Sequence, residues 1–187
     1  MILVVDMNST ENPFGFHEFV LPIVSIAEEL EKCTVKHYLE VNETSLNGYD
    51  NIILSGSALK DTVTFDQTKR FMWLKDCGKP VLGICAGMQT IGLVFGGRVE
   101  KCREIGMIDI ATFKENILFS STLKVYALHN YALLPSAEFN VLAESANCVY
   151  AIKHKQKEVY GVLFHPEVRN IEIVKKFIRA FQVDRRI

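Results

Sequence analysis

Pro80-Val-Leu-Gly-Ile-Cys85-Ala-Gly-Met-Gln89 decides how this chain folds. Val81–Ile84 is a short apolar run of the kind a buried strand makes, and Ala86–Phe95 reads as a helix stopped by Gly96-Gly97. A strand therefore runs into one cysteine and leaves it as a helix. Gly83 stands two residues before Cys85 and Gly87 two after, the spacing of a G-x-nucleophile-x-G elbow with cysteine in place of serine. The glycines give such a strained corner room and backbone freedom. The sulfur would sit at a helix N-terminus, where free N–H groups and the helix dipole suit a nucleophile. Covalent cysteine chemistry is the expectation.

The elbow belongs to a larger alternation. On its N-terminal side lie strand candidates at Ile2–Val5, Thr34–Leu39 and Tyr49–Leu54, the last after the turn signal Asn47-Gly48. Helical spacing falls at Glu18–Leu30, with Pro22 in its first turn, and at Phe65–Asp76. Strand and helix in turn predict an α/β fold: a flavodoxin-like, open, mostly parallel sheet with helices on both faces. Beyond Gly97 the texture changes to short β-like runs, Met107–Thr112, Leu123–Ala127, Asn140–Ala143, Val149–Lys153 and Val159–Phe164. Asn, Ser and Pro divide them as in hairpins, which predicts a smaller antiparallel extension in the C-terminal half. Ile171–Phe181 carries one apolar stripe and reads as a closing helix. There is no repeat, low-complexity stretch or linker, so residues 1–187 are expected to form a single domain.

Composition narrows the function classes. With 49% hydrophobic and 23% charged residues the chain can bury a sizeable core. A formal net charge of −1 gives no electrostatic support for nucleic-acid binding. Met1-Ile-Leu-Val-Val lacks a basic n-region, and the longest uncharged run, Val81 to Gly97, falls short of a membrane span. Cys33, Cys77, Cys85, Cys102 and Cys148 form no C-x-x-C pair and read as reduced thiols, consistent with a cytoplasmic location. Histidines 17, 37, 129, 154 and 165 show no ligand spacing, so no metal site is expected.

Open α/β sheets bind ligands at the carboxyl ends of their parallel strands, and Asp6, Ser55 and Cys85 all lie at or just past such ends. A thiol nucleophile needs a base. Tyr160-Gly-Val-Leu-Phe-His165-Pro-Glu167 supplies one directly after an apolar strand, with Glu167 two residues on to fix the imidazole tautomer. Cys85, His165 and Glu167 thus give nucleophile, base and orienting acid in that order, unlike serine hydrolases of the α/β type, which place the acid before the histidine. For an oxyanion hole, the N–H of Ala86 follows the nucleophile, and Ser55-Gly56-Ser57 can present a second donor from Gly56 or Ser57.

Gly83-Ile-Cys85-Ala-Gly87-Met-Gln89 and Gly161-Val-Leu-Phe-His165-Pro-Glu167 resemble the G-x-C-x-G-x-Q and G-V-x-F-H-P-E signatures of class I (triad) glutamine amidotransferases. The likeness spans essentially the whole chain, including the Phe95-Gly-Gly-Arg-Val99 run that resembles stand-alone glutaminase subunits of two-subunit GMP synthases. It implies that Cys85 attacks the glutamine amide, that a γ-glutamyl thioester hydrolyses to glutamate, and that ammonia passes to a synthase partner. That partner would be an ATP-pyrophosphatase that uses XMP, with ATP and magnesium on the partner and no cofactor in this chain. The resemblance also implies that Gln89 holds substrate, and that Leu128-His129-Asn130-Tyr131 forms a second glutamine-binding segment through its backbone. Ser55-Gly56-Ser57-Ala58 stands where the family has S-G-G-P, and Asn130-Tyr131 where the synthase type ends S-H-x-D. The loop after Asp6 is long and carries two aromatics in Asn12–Phe16, a candidate lid or partner contact. Two other readings use the same residues: a γ-glutamyl hydrolase or peptidase, favoured by a roomy pocket, and a non-catalytic regulatory protein that binds a partner.

Overall fold

Among the described residues, nine strands form one sheet in the order β2-β1-β3-β4-β9-β8-β7-β5-β6. The computed structural model describes residues 1–10, 14–114 and 116–182. The first half of the sheet is β1 (Ile2–Asp6), β2 (Cys33–His37), β3 (Asn51–Leu54) and β4 (Val81–Ile84), all parallel. β1, β3 and β4 are almost wholly buried apolar runs, as expected where helices cover both faces. α1 (Leu21–Glu28) packs on α3 (Glu172–Ala180), while α2 (Ala86–Val94) packs on a 3₁₀ helix at Val63–Lys75. The predicted flavodoxin-like order holds, and the site lies at the C-terminal ends of β3, β4 and β9.

Three elements differ from the sequence reading for identifiable reasons. The segment expected as a helix over Phe65–Asp76 is 3₁₀ in type and kinked at Gln67, with φ −109° and ψ 22°. Its start, Thr62-Val-Thr64, is β-branched and a poor helix former, and the segment is held instead by burial of Phe71, Trp73 and Leu74. The helix expected from Glu18 begins as a π turn over Phe16–Val20, and Pro22 falls in the first turn of α1. The runs at Met107–Thr112 and Leu123–Ala127 are only the far parts of a long ribbon, β5 (Arg98–Thr112) paired with β6 (Leu123–Leu134). Its near part is rich in charge because one face meets solvent, which hides the strand signal.

β7 (Phe139–Glu144), β8 (Val149–His154) and β9 (Val159–Val162) complete the sheet. β9 is not simply another hairpin strand: it pairs antiparallel with β8 and parallel with β4. It therefore welds the antiparallel extension onto the parallel sheet. The register Ile84↔Val162 then brings the residues after β4 and β9 side by side. Asn12 and Pro13 of the long first loop lie outside the described residues; Phe14 is exposed, and Phe16 packs against the core.

Candidate active site

Cys85 occupies the corner between β4 and α2 with φ 47° and ψ −102°. For a residue with a Cβ this backbone is strained by on the order of 1–3 kcal/mol. Close packing holds it there. The Cys85 N–H donates to the Val162 carbonyl at 2.8 Å, continuing the β4–β9 ladder past its end. The Gly87 N–H donates to the Ser55 carbonyl at 3.2 Å, locking the first turn of α2 to the loop after β3. A Cβ on Gly83 would lie 2.5 Å from the Gly87 carbonyl carbon, and one on Gly87 would lie 2.6 Å from the Leu54 carbonyl oxygen. Both elbow glycines are thus demanded by close approach of the backbone.

A few residues past β9, the His165 N–H donates to the Tyr126 carbonyl of β6 at 2.9 Å, which fixes the backbone under the imidazole. Nδ1 lies 2.7 Å from the Glu167 carboxylate, with both side chains buried. Nε2 has no hydrogen-bond partner among the described residues, and neither has Glu167 Oε2. The Cys85 thiol donates to the Leu128 carbonyl at 3.7 Å. Burial alone would depress the His165 pKa. The Glu167 carboxylate and the adjacent Cys85 sulfur outweigh it and hold the imidazole well above the ordinary histidine range. An imidazole so held, with a free Nε2 beside a sulfur, is suited to carry a proton to and from that sulfur and its adduct.

The flanks of the imidazole are filled by Phe19, which no motif marks, and by Gly56, expected from the sequence only as an oxyanion-hole donor. The Phe19 ring lies 5.4 Å from it, centroid to centroid. Gly56 lies on it so closely that a Cβ there would come within 2.7 Å of His165 Cε1. The only local signal for Phe19 is its place on the amphipathic stretch after the first loop, where it is indistinguishable from core.

A narrow cleft opens beside the sulfur, lined among others by Ser57, Leu59, Cys85, Ala86, Gln89 and the Leu128–Tyr131 segment. It leaves about 20 Å³, roughly one water's worth of room. Ser57 and Ala86 border it, while Gly56 lies behind them against the imidazole. Gln89 Nε2 donates to the Tyr131 carbonyl at 2.7 Å, tying α2 to β6. Asn130 Nδ2 donates to the Leu59 carbonyl at 2.9 Å, holding the loop after β3 over the cleft. His129 borders the cleft but turns its ring away from it: Nδ1 meets the Cys102 carbonyl at 3.0 Å and Nε2 the Tyr150 hydroxyl at 3.1 Å. Burial pushes that imidazole below its ordinary pKa. The sequence-predicted residues therefore meet in one place, with His129 presenting its backbone rather than its ring.

Fold and site together define a class: α/β proteins whose sheet presents an elbow cysteine to a histidine–carboxylate pair at the ends of neighbouring parallel strands. A family model for class-I glutamine amidotransferases matches residues 19–184, and the chain belongs to that family. It is therefore a glutamine amidotransferase. Among relatives, it is 36% identical over 145 residues to the A subunit of a glutamine-hydrolyzing GMP synthase from Saccharolobus solfataricus, covering 71% of this chain and 77% of that one. It is 34% identical over 191 residues to a glutamine-hydrolyzing GMP synthase from Staphylococcus epidermidis, covering 97% of this chain but 35% of that longer protein. Among solved structures, a putative A subunit of GMP synthase from Thermoplasma acidophilum superposes with a TM-score of 0.80 at 26% identity, over 96% of this chain and 93% of that one. Among the described residues, no helix is long and apolar enough to cross a membrane.

Proposed function

We propose that this chain is the glutaminase subunit of a two-subunit GMP synthase, and that Cys85, His165 and Glu167 carry its chemistry. The Cys85 thiol passes its proton to His165 Nε2 as its sulfur attacks the side-chain amide carbon of glutamine. The resulting oxyanion is met by the Ala86 N–H and by an N–H of the Gly56–Ser57 loop. Collapse breaks the C–N bond, and the leaving nitrogen takes its proton from His165 to depart as ammonia. His165 then takes a proton from water, whose hydroxide attacks the γ-glutamyl thioester; collapse breaks the C–S bond, releases glutamate, and the departing sulfur takes its proton back from His165. Glu167 holds the imidazole through Nδ1 and stabilises its charged form. Gln89 and the backbone of His129, Asn130 and Tyr131 hold the substrate. Ammonia passes to an ATP-pyrophosphatase partner that aminates XMP, with ATP and magnesium bound on that partner. This chain needs no cofactor of its own for these steps.

The observation that carries the reading is the strained Cys85 corner set beside an imidazole whose Nδ1 is fixed and whose Nε2 is free. A larger γ-glutamyl substrate would use the same groups, and turnover of γ-glutamyl anilides without a partner distinguishes that alternative. The partner rests on the relatives, among them A subunits of GMP synthase of comparable length. The test is glutamate release from glutamine by wild type and Cys85→Ala, alone and with an ATP-pyrophosphatase partner, ATP and XMP. Turnover that rises with the partner and vanishes in Cys85→Ala is expected. Turnover retained in Cys85→Ala would refute the nucleophile. Wild-type turnover indifferent to the partner would refute the assignment to GMP synthesis.

A further inference from the structure

The β5–β6 ribbon is bulged between Lys101 and Glu104. The bulge turns two residues of β5 towards the tight turn that joins β7 to β8, where the Ser145 N–H closes on the Cys148 carbonyl at 2.9 Å. There the sulfurs of Cys102 and Cys148 and a carboxylate oxygen of Glu104 all lie within 4.8 Å of one another. Glu104 is only 8% exposed. Its carboxylate collects the Tyr150 hydroxyl at 2.8 Å, Asn147 Nδ2 at 2.8 Å, the Ser145 hydroxyl at 3.3 Å and the Cys148 thiol at 3.4 Å. A buried carboxylate between two thiols is an unusual core and a common donor set for a borderline-soft cation.

His129 flanks the Glu104 carboxylate, outside the mutual 4.8 Å of the other three donor atoms. Its Nε2 is 3.7 Å from Glu104 Oε2 and 3.1 Å from the Tyr150 hydroxyl. Donating Nδ1–H to the Cys102 carbonyl leaves Nε2 a bare lone pair, the arrangement metal-ligating histidines adopt. Tyr150 has one proton, and both Glu104 and His129 Nε2 face it as acceptors. A cation between them would satisfy both. With metal–sulfur bonds of about 2.3 Å and metal–oxygen bonds of about 2.0–2.2 Å, a tetrahedral centre puts its ligand atoms roughly 3.5–3.8 Å apart. The donor atoms of Cys102, Glu104 and Cys148 need to contract by only about an ångström, and His129 completes the set by moving further. Asn147 is exposed and both cysteines are half-buried, so the turn gives an entry path.

We propose that Cys102, Glu104 and Cys148, with His129 as fourth ligand, form a structural site for a thiophilic divalent cation such as zinc. Binding displaces the two thiol protons to solvent and makes two metal–thiolate bonds, with no change of oxidation state. No spacing along the sequence announces the cluster, because the fold alone joins Glu104 to Cys148, 44 residues away. The ion would clamp β5, β6 and β8 together next to Leu128, whose carbonyl receives the Cys85 thiol. The inference does not depend on the reaction assigned to Cys85.

The test is titration of the reduced, chelator-treated full chain with Co²⁺, read by thiolate-to-cobalt charge-transfer absorption and by proton release, followed by displacement with Zn²⁺. One equivalent, two protons released and tetrahedral bands are expected. Cys102→Ser and Cys148→Ser should each weaken binding at least tenfold, with Cys33→Ser as a neutral control. Absence of the charge-transfer band, bands that survive Cys148→Ser, or bands lost in Cys85→Ala instead would each overturn the proposal. If the serine variants fail to fold, X-ray absorption of the zinc-loaded wild type decides: two sulfurs at about 2.3 Å support the site, and one or none refutes it.

Discussion

Gly56→Ala should cripple turnover without emptying the substrate cleft. The new Cβ would lie 2.7 Å from His165 Cε1, whereas ordinary van der Waals contact begins at 3.4 Å, a shortfall of about 0.7 Å. The same Cβ would lie 3.2 Å from Nδ1 and 3.5 Å from Phe19 Cδ1. The imidazole has little freedom to yield. Glu167 holds Nδ1 at 2.7 Å, and Phe19 packs on the ring. Overpacking of this kind costs about 1–3 kcal/mol of stability. For a chain of this size that is a fall of roughly 2–4 °C in Tm for each kcal/mol, which leaves the protein folded. A displacement of 1 Å in a catalytic group can cost on the order of 100-fold. For 0.7 Å we expect kcat to drop about 10- to 100-fold, or about 1.4–2.7 kcal/mol in barrier. KM should barely move, because neither Gly56 nor His165 lines the cleft. The assay is glutamate release against glutamine concentration with the synthase partner present, beside a thermal melt. A folded Gly56→Ala with kcat within twofold of wild type would refute the packing argument, as would a loss confined to KM.

Two further predictions follow from the elbow and the imidazole. Alanine normally stabilises relative to glycine by about 0.5–1 kcal/mol, but at φ 47° the strain of a Cβ works the other way by about 1–3 kcal/mol. Cys85→Gly should therefore melt above Cys85→Ala by about 1 kcal/mol, some 2–4 °C; alanine melting higher would mean the corner is unstrained. Glu167→Gln removes the main group that raises the His165 pKa, so the imidazole should titrate at lower pH by NMR, and kcat should fall less than in His165→Ala. A raised pKa gives stability that is complete below about pH 6.5 and is lost as pH rises through the folded value. The wild-type margin over Glu167→Gln should thus shrink above neutral pH; a His165 titrating unchanged in the variant would contradict this.

Much of the site was legible because it is written in backbone constraints. Gly83, Cys85 and Gly87 mark a corner that few residue types tolerate, and His165-Pro-Glu167 sits where an apolar strand must end. The parallel core was equally legible, since β1, β3 and β4 are buried on both faces and read as unbroken apolar runs. The near half of the β5–β6 ribbon was hidden by its solvent face, and the 3₁₀ helix by a spacing that looks helical until its β-branched start is weighed.

What stayed hidden has one physical origin. The place of β9 depends on a register with β4 and β8 that no local pattern states, and everything that converges on His165 depends on that register. Phe19 touches the imidazole from the turn before α1, Gly56 from the loop after β3, and Tyr126 through its carbonyl from β6. None has an unusual backbone of its own to advertise the contact. The same reasoning applies to Cys102, Glu104, Cys148 and His129, which β5, β6 and the turn before β8 bring together. Cys85 is legible because strain is a property of one residue. The groups packed around His165 become legible only once the sheet is assembled, so substitutions there test the geometry more sharply than substitutions within the motifs.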